Sequence, residues 1–176
     1  MIAIVAKVAE RRHALSCLPM IVLVAACSTP ALPPDVKPHR DLARRYLVEG
    51  RLSAARQQLD LALALRPDDE DALFLDGAWR LMSGDPSTAE AVWTELTRHV
   101  RDEPLRSRVE TGIGLTRIIH ARPDSAADHL EIALDLDPHN GLARDLLQVA
   151  QQLESSAQPP AVDDLAHSPR IRELVE

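Results

Sequence analysis

The feature that most constrains this chain is a recurrence of small and large side chains at a spacing of 34 residues. Ala43, Tyr46, Gly50, Ala55, Leu59, Ala62, Leu63 and Pro67 form one set, and Gly77, Gly84, Ala89, Trp93 and Leu96 form a second in the same register. Gly114, Ala121, Ala126, Leu130, Ala133, Leu134 and Pro138 form a third, displaced by three further residues that fit an insertion near Asp102 to Arg106. A period of this length marks a supersecondary unit that cannot bury its apolar face alone and therefore stacks on copies of itself.

Local chemistry makes that unit a pair of helices. Leu42, Ala43, Tyr46 and Leu47 form one stripe at helical spacing, and Ala55, Leu59, Ala62 and Leu63 form another. Gly50 and Gly84 stand where a helix should stop. Ser53 is expected to cap the helix that follows, Asp85 with Pro86 makes an N-cap and first turn, and Pro123 holds the matching place in the third set. Tyr46, Phe74, Trp79 and Trp93 are the only aromatic residues, and Ala and Leu dominate the apolar share. Such a composition favours an all-helical chain. Helices joined by turns this short lie antiparallel.

The pattern resembles the tetratricopeptide repeat, with small residues where two helices cross, a large residue over them and a proline closing the second helix. Ala43, Gly77 and Gly114 match the small position of each first helix, Ala55, Ala89 and Ala126 that of each second helix, and Leu59, Trp93 and Leu130 the large position. The middle repeat departs from the pattern at Arg80, Leu96 and Arg101, where the first repeat has Tyr46, Ala62 and Pro67. The resemblance implies an all-α fold: a short right-handed α-solenoid of three hairpins over residues 38–154, with repeats at about 36–69, 70–103 and 107–140. Residues 141–154 then supply a capping helix through Leu142, Leu146, Leu147, Val149, Ala150 and Leu153. Residues 155–176 read as a flexible tail with a short helix at 169–175.

The N-terminus reads as an export signal. Lys7, Arg11 and Arg12 form a basic region, Ala14 to Ala26 an apolar run too short to span a bilayer, and Leu23-Val24-Ala25-Ala26-Cys27 ends it. This resembles the bacterial lipoprotein signal. The resemblance implies removal of residues 1–26, lipid on the Cys27 sulfur and, with Ser28 following, sorting to the periplasmic side of the outer membrane. Two acyl chains suffice for stable anchoring. Residues 27–37, with Pro30, Pro33 and Pro34, read as a tether.

No catalytic or cofactor set is expected. The seven His are dispersed, and no phosphate loop or nucleophile elbow is present. Asp135 to Gly141 superficially suggests a calcium loop, but Leu146 stands where the bidentate Glu is needed. Asp68-Asp69-Glu70-Asp71 reads as a solvated turn whose acids favour the next helix N-terminus. The net charge of −7 argues against nucleic acid as a partner.

The expected function is binding of a cell-envelope protein. In the resembled family, the first helices line a concave groove, which here implies Arg40, Arg44, Leu47, Phe74, Ala78, Leu81, Leu115 and Ile118, with Lys37, Asp71, Arg108 and Thr111 beside them. Arg44, Leu75 and Gly112 replace the polar residues that a carboxylate clamp of this family requires, so an apolar helix or extended segment is the better match. Leu165, Ile171, Leu174 and Val175 offer the same groove a covering in cis. Lipoproteins of this architecture serve pilus, secretion or cell-wall machinery, which the resemblance extends to this chain as a membrane-anchored adaptor. The competing reading is a peptidoglycan- or polysaccharide-binding module, with Phe74 or Trp79 as an exposed platform.

Cys27→Ala is expected to move the protein from the membrane to the soluble fraction and to abolish a lipid adduct in its mass spectrum. An unchanged distribution with no adduct on the parent chain would remove the anchor.

Overall fold

The computed structural model describes residues 35–155 and 170–175. The expected signal, the lipidated Cys27, the tether as far as residue 34 and Leu165 all lie outside these residues. Among the described residues there are eight helices and no strand. In chain order they are α1 (Lys37–Val48), α2 (Leu52–Leu65), α3 (Glu70–Met82), α4 (Pro86–Leu96), α5 (Glu103–Ile119), α6 (Pro123–Leu136), α7 (Gly141–Ser155) and α8 (Arg170–Val175). None is long and apolar enough to cross a membrane.

Each helix packs against the next, from α1 through α7, and the first helices of successive hairpins also touch one another: α1 on α3, α3 on α5, α5 on α7. The result is a helical-repeat solenoid with an inner layer of α1, α3, α5 and α7. What lets the helices approach is a fit of large against small. Ala43, Ala55 and Leu59 are fully buried, as are Ala89, Trp93, Ala126 and Leu130. A Cβ placed on Gly114 would lie 2.6 Å from Cγ of Leu130, inside van der Waals contact. A Cβ on Gly77 would enter the Trp93 indole ring.

The middle hairpin uses a Trp where its neighbours use Leu, and a second glycine makes room for it. A Cβ on Gly112 would lie 2.9 Å from the Trp93 ring. The indole is thus clasped between the first helix of its own hairpin and the first helix of the next. Its Nε1 donates to the Phe74 carbonyl at 3.1 Å, so the one polar atom of the ring is satisfied at full burial.

The turns repeat as faithfully as the core. Gly50, Gly84 and Ala121 follow the C-terminal ends of α1, α3 and α5, and all three have positive φ: 72°, 86° and 54°. In each, the residue's own N–H reaches back three residues and the next N–H reaches back five, as in Gly50 to Leu47 (2.9 Å) and Arg51 to Tyr46 (2.8 Å). That is the Schellman closure of a helix C-terminus. Glycine adopts it freely. Ala121 does so against the clash of its Cβ with the backbone.

The N-termini differ from expectation in two places. Ser53 lies inside α2, and Arg51 stands at the cap position with no side-chain bond, so Ser53 does not cap. Helix α1 begins at Lys37 with Pro38 in its first turn, where the missing N–H leaves nothing unpaired. Val36 is buried with Ala62 and Ala72, so the end of the expected tether belongs to the domain. Arg122 precedes Pro123 at the start of α6, also with no side-chain bond, whereas four helices have side-chain caps: Asp69 accepts from Ala72 (2.9 Å), Asp85 from Thr88 (3.1 Å), Asp102 from Leu105 (2.9 Å) and Asn140 from Ala143 (3.0 Å). Hydrogen bonds from Thr88 hold the exposed Asp85 carboxyl below its ordinary value. The cap is therefore intact at neutral pH, and its contribution is lost as acid protonates the carboxyl through that lowered value.

The three inserted residues form an early turn of α5, which starts at Glu103 and runs 17 residues against 13 in α3. Residues 104–106, placed between repeats by sequence, are helix. Helix α5 is buried from Val109 through Thr116 on every side, including the polar Glu110, Thr111 and Thr116. Helix α7, at the end of the stack, buries only one stripe: Ala143, Leu146, Ala150 and Leu153. It is held by a polar knot as well, because Asn140 Nδ2 donates to Ser107 Oγ and Thr111 Oγ1, both at 2.9 Å.

Ala121→Gly is expected to stabilise the fold by about 1 kcal/mol, and Gly77→Ala to destabilise it by about 1–3 kcal/mol through overpacking of Trp93. Urea unfolding midpoints measure both. A neutral or destabilising Ala121→Gly would mean that Ala121 carries no strain, and a neutral Gly77→Ala would mean that the ring has room to shift.

Candidate functional site

Three arginines rise from the inner layer around one carboxylate. Asp71, in the first turn of α3, lies 2.9 Å from Arg40 Nη1, 3.6 Å from Arg108 Nη2 and 3.8 Å from Arg44 Nη2. Arg40 and Arg44 come from α1, four residues apart on one face, and Arg108 comes from α5. The three helices are neighbours in the inner layer, α1 packed on α3 and α3 on α5. Asp69 adds a second carboxylate: it accepts from Arg40 at 3.2 Å and pairs with Arg66 at 3.4 Å, while capping α3. Asp69 is 5% exposed, so it departs from the solvated turn expected from the sequence, while Asp68 beside it is exposed and Glu70 and Asp71 lie partly exposed in the first turn of α3.

Arg108 lies over the Phe74 ring, 5.0 Å from its centroid, and Phe74 packs in turn on Trp93 at 6.1 Å between centroids. Burial pushes the Arg108 guanidinium below its ordinary value and Arg44 pushes the same way, against Asp71 and Asp102. A cation held there is poised to gain from a further acceptor. Arg44 has found one. Its Nη1 donates to the Val175 carbonyl of α8 at 2.7 Å.

Helix α8 lies on the inner layer, touching α1, α3, α5 and α7. Leu174 and Val175 are buried there, at 2% and 0% exposure, while Arg172 and Glu173 face solvent. Beside them is a cleft of about 290 Å³ lined in part by Arg108, Thr111, Asn140, Leu142 and Leu174. Burying the two aliphatic residues and making one charge-assisted hydrogen bond offers about 5–9 kcal/mol. Ordering six residues costs about 6–12 kcal/mol, so the docking of α8 is close to balanced.

The residues expected to line the groove therefore divide into two groups. Arg40 and Arg44 stand at the surface of the inner layer, partly exposed. Leu47, Phe74, Ala78, Leu81, Leu115 and Ile118 are 1% exposed or less and belong to the core, so they offer no open apolar floor in this structure. The periodicity placed them on the inner-layer helices but could not show how closely those helices pack. Arg108 and Asp71, which the same register placed beside the groove, complete the polar cluster. Leu174 and Val175, marked as a covering in cis, are the buried residues of α8. The side chain of Ile171 lies outside the described residues.

Other charged groups pair within the fold. Buried Asp76 joins Arg56 and Arg80, the latter at 2.7 Å. Burial opposes the charge of Arg56, but the hydrogen bonds it donates to Asp60 and Asp76 outweigh that and raise its pKa. Arg56 also covers Trp79, 4.9 Å from the ring centroid, and the Trp79 Nε1 donates to the Leu52 carbonyl at 2.9 Å. With Phe74 buried, neither ring is left as an open platform for a sugar. His129 pairs with buried Glu110 at 2.8 Å, and His120 with Glu90 at 3.3 Å. Neither partnership was legible, since each joins side chains on different helices. Among the described residues no three His, Cys, Asp or Glu side chains gather to hold a metal. Asp137, in the turn once compared with a calcium loop, accepts from the His139 N–H at 2.9 Å.

No protein-family model matches the chain, and no curated protein matches it.

Asn140→Ala removes the α7 cap and both bonds into α5 and is expected to cost about 2 kcal/mol. Thermal unfolding of the variant measures the loss. A melting curve that overlays the parent's would show that α7 docks through its apolar stripe alone.

Proposed function

We propose that the chain is a lipid-anchored adaptor of a bacterial cell envelope: a tetratricopeptide-type stack that faces the periplasm from the outer membrane and recruits a protein of the pilus, secretion or cell-wall machinery. The observation that carries the reading is that the inner layer already holds a peptide, through Arg44 on the Val175 carbonyl and through two buried aliphatic side chains. A face that grips main chain and a pair of aliphatic residues is suited to a protein segment. The Val24-Ala25-Ala26-Cys27 signal supports the anchor, and the recurrence of Ala43, Gly77 and Gly114 supports the assignment of the repeat.

Crosslinking and pull-down from the native envelope tests it. The parent protein is expected to capture one or more envelope proteins, and Arg44→Ala to reduce that capture at least tenfold while leaving helicity unchanged. Equal capture by both, or none by the parent, would overturn the adaptor reading.

A further inference from the structure

Helix α8 differs in kind from the other helix that covers the stack. Helix α7 closes the end of the solenoid with 15 residues, four buried side chains and the Asn140 knot. Helix α8 has six residues and reaches only the inner layer, and no ion pair fixes Arg172 or Glu173 among the described residues. Among the described residues, its attachment is Leu174, Val175 and one carbonyl. That carbonyl lies at the helix C-terminus, where unpaired C=O groups carry partial negative charge. Arg44 meets it at 2.7 Å, with Arg40 and Arg108 gathered on the same Asp71. The charge of the receiving face and the charge of the incoming end are complementary.

We infer that α8 is an internal ligand that holds the place of a partner, and that the face takes from that partner a short helix ending in two adjacent aliphatic residues, seated with its C-terminal carbonyls on Arg44. The inference rests on the adaptor reading for the existence of a partner and deepens it by stating what is recognised. Binding then requires exchange: the partner's helix replaces α8, and capture is weakened by the fraction of molecules in which α8 is seated.

A labelled peptide spanning residues 166–176 tests this against the full chain and against the full chain carrying Leu174→Asp with Val175→Asp. Fluorescence anisotropy is expected to show the variant binding the peptide at least tenfold more tightly than the parent. Adding Arg44→Ala should weaken that binding about tenfold, and a peptide with the same two Asp substitutions should not bind. Circular dichroism should show the variant folded, with a cooperative melt. No binding to the variant, equal binding to both proteins, or loss of the cooperative melt would overturn the inference, the last by making α8 part of the fold. A parent dimer that the two substitutions dissolve would give the face to a second copy of the chain and would also overturn it. Peptide exchange without envelope capture would leave the internal ligand standing and remove the adaptor. Capture without exchange would do the reverse.

Discussion

The structure depends on one steric relation, seen directly at Gly77 with Trp93 and at Gly114 with Leu130: a large side chain from the second helix of a hairpin enters the space left by a residue with no side chain on the first. Leu59 and Ala43 hold the corresponding positions of the first hairpin, and Leu59, Trp93 and Leu130 are fully buried. This relation sets how close the helices come, and that distance sets everything downstream. In the stack so formed, α1, α3 and α5 lie near enough for Arg40, Arg44 and Arg108 to share Asp71. It also buries α5 so completely that Glu110 and Thr116 must find partners inside.

The period and the small-residue positions revealed the helices, because steric repetition leaves a trace in a single sequence. Ala55, Ala89 and Ala126 all proved fully buried, as a helix crossing requires. The turns were legible where glycine marked them and obscure where Ala121 took the same left-handed conformation. The caps were half legible. Asp85 with Pro86 could be read, whereas Asn140 could not be seen to reach Ser107 and Thr111 across more than two dozen residues of chain. Gly112 had no evident reason until Trp93 was seen to lean on it.

The first helices of the hairpins do form one layer, α1 on α3 and α3 on α5, but what that layer offers was less legible. The family resemblance put Leu47, Phe74, Ala78, Leu81, Leu115 and Ile118 on an open groove, yet burial is decided by how closely neighbouring helices pack, and all six are buried. The polar residues carry the surface instead. Asp69 and Asp71 looked like a solvated turn because each is flanked by further acids, and only the fold brings the arginines of α1 and α5 to them.

The clasp on Trp93 also restricts how such an array can grow. Repeat proteins lengthen by tandem copying, which works when every unit accepts every other as its neighbour. Here the indole needs a glycine in the following unit, and Gly112 provides it. The corresponding residue of the middle hairpin is Leu75, so a second copy of that hairpin placed after the first would confront the ring with a leucine. What may follow the middle hairpin is thereby restricted, and its duplication is sterically barred unless Leu75 of the new copy changes with it.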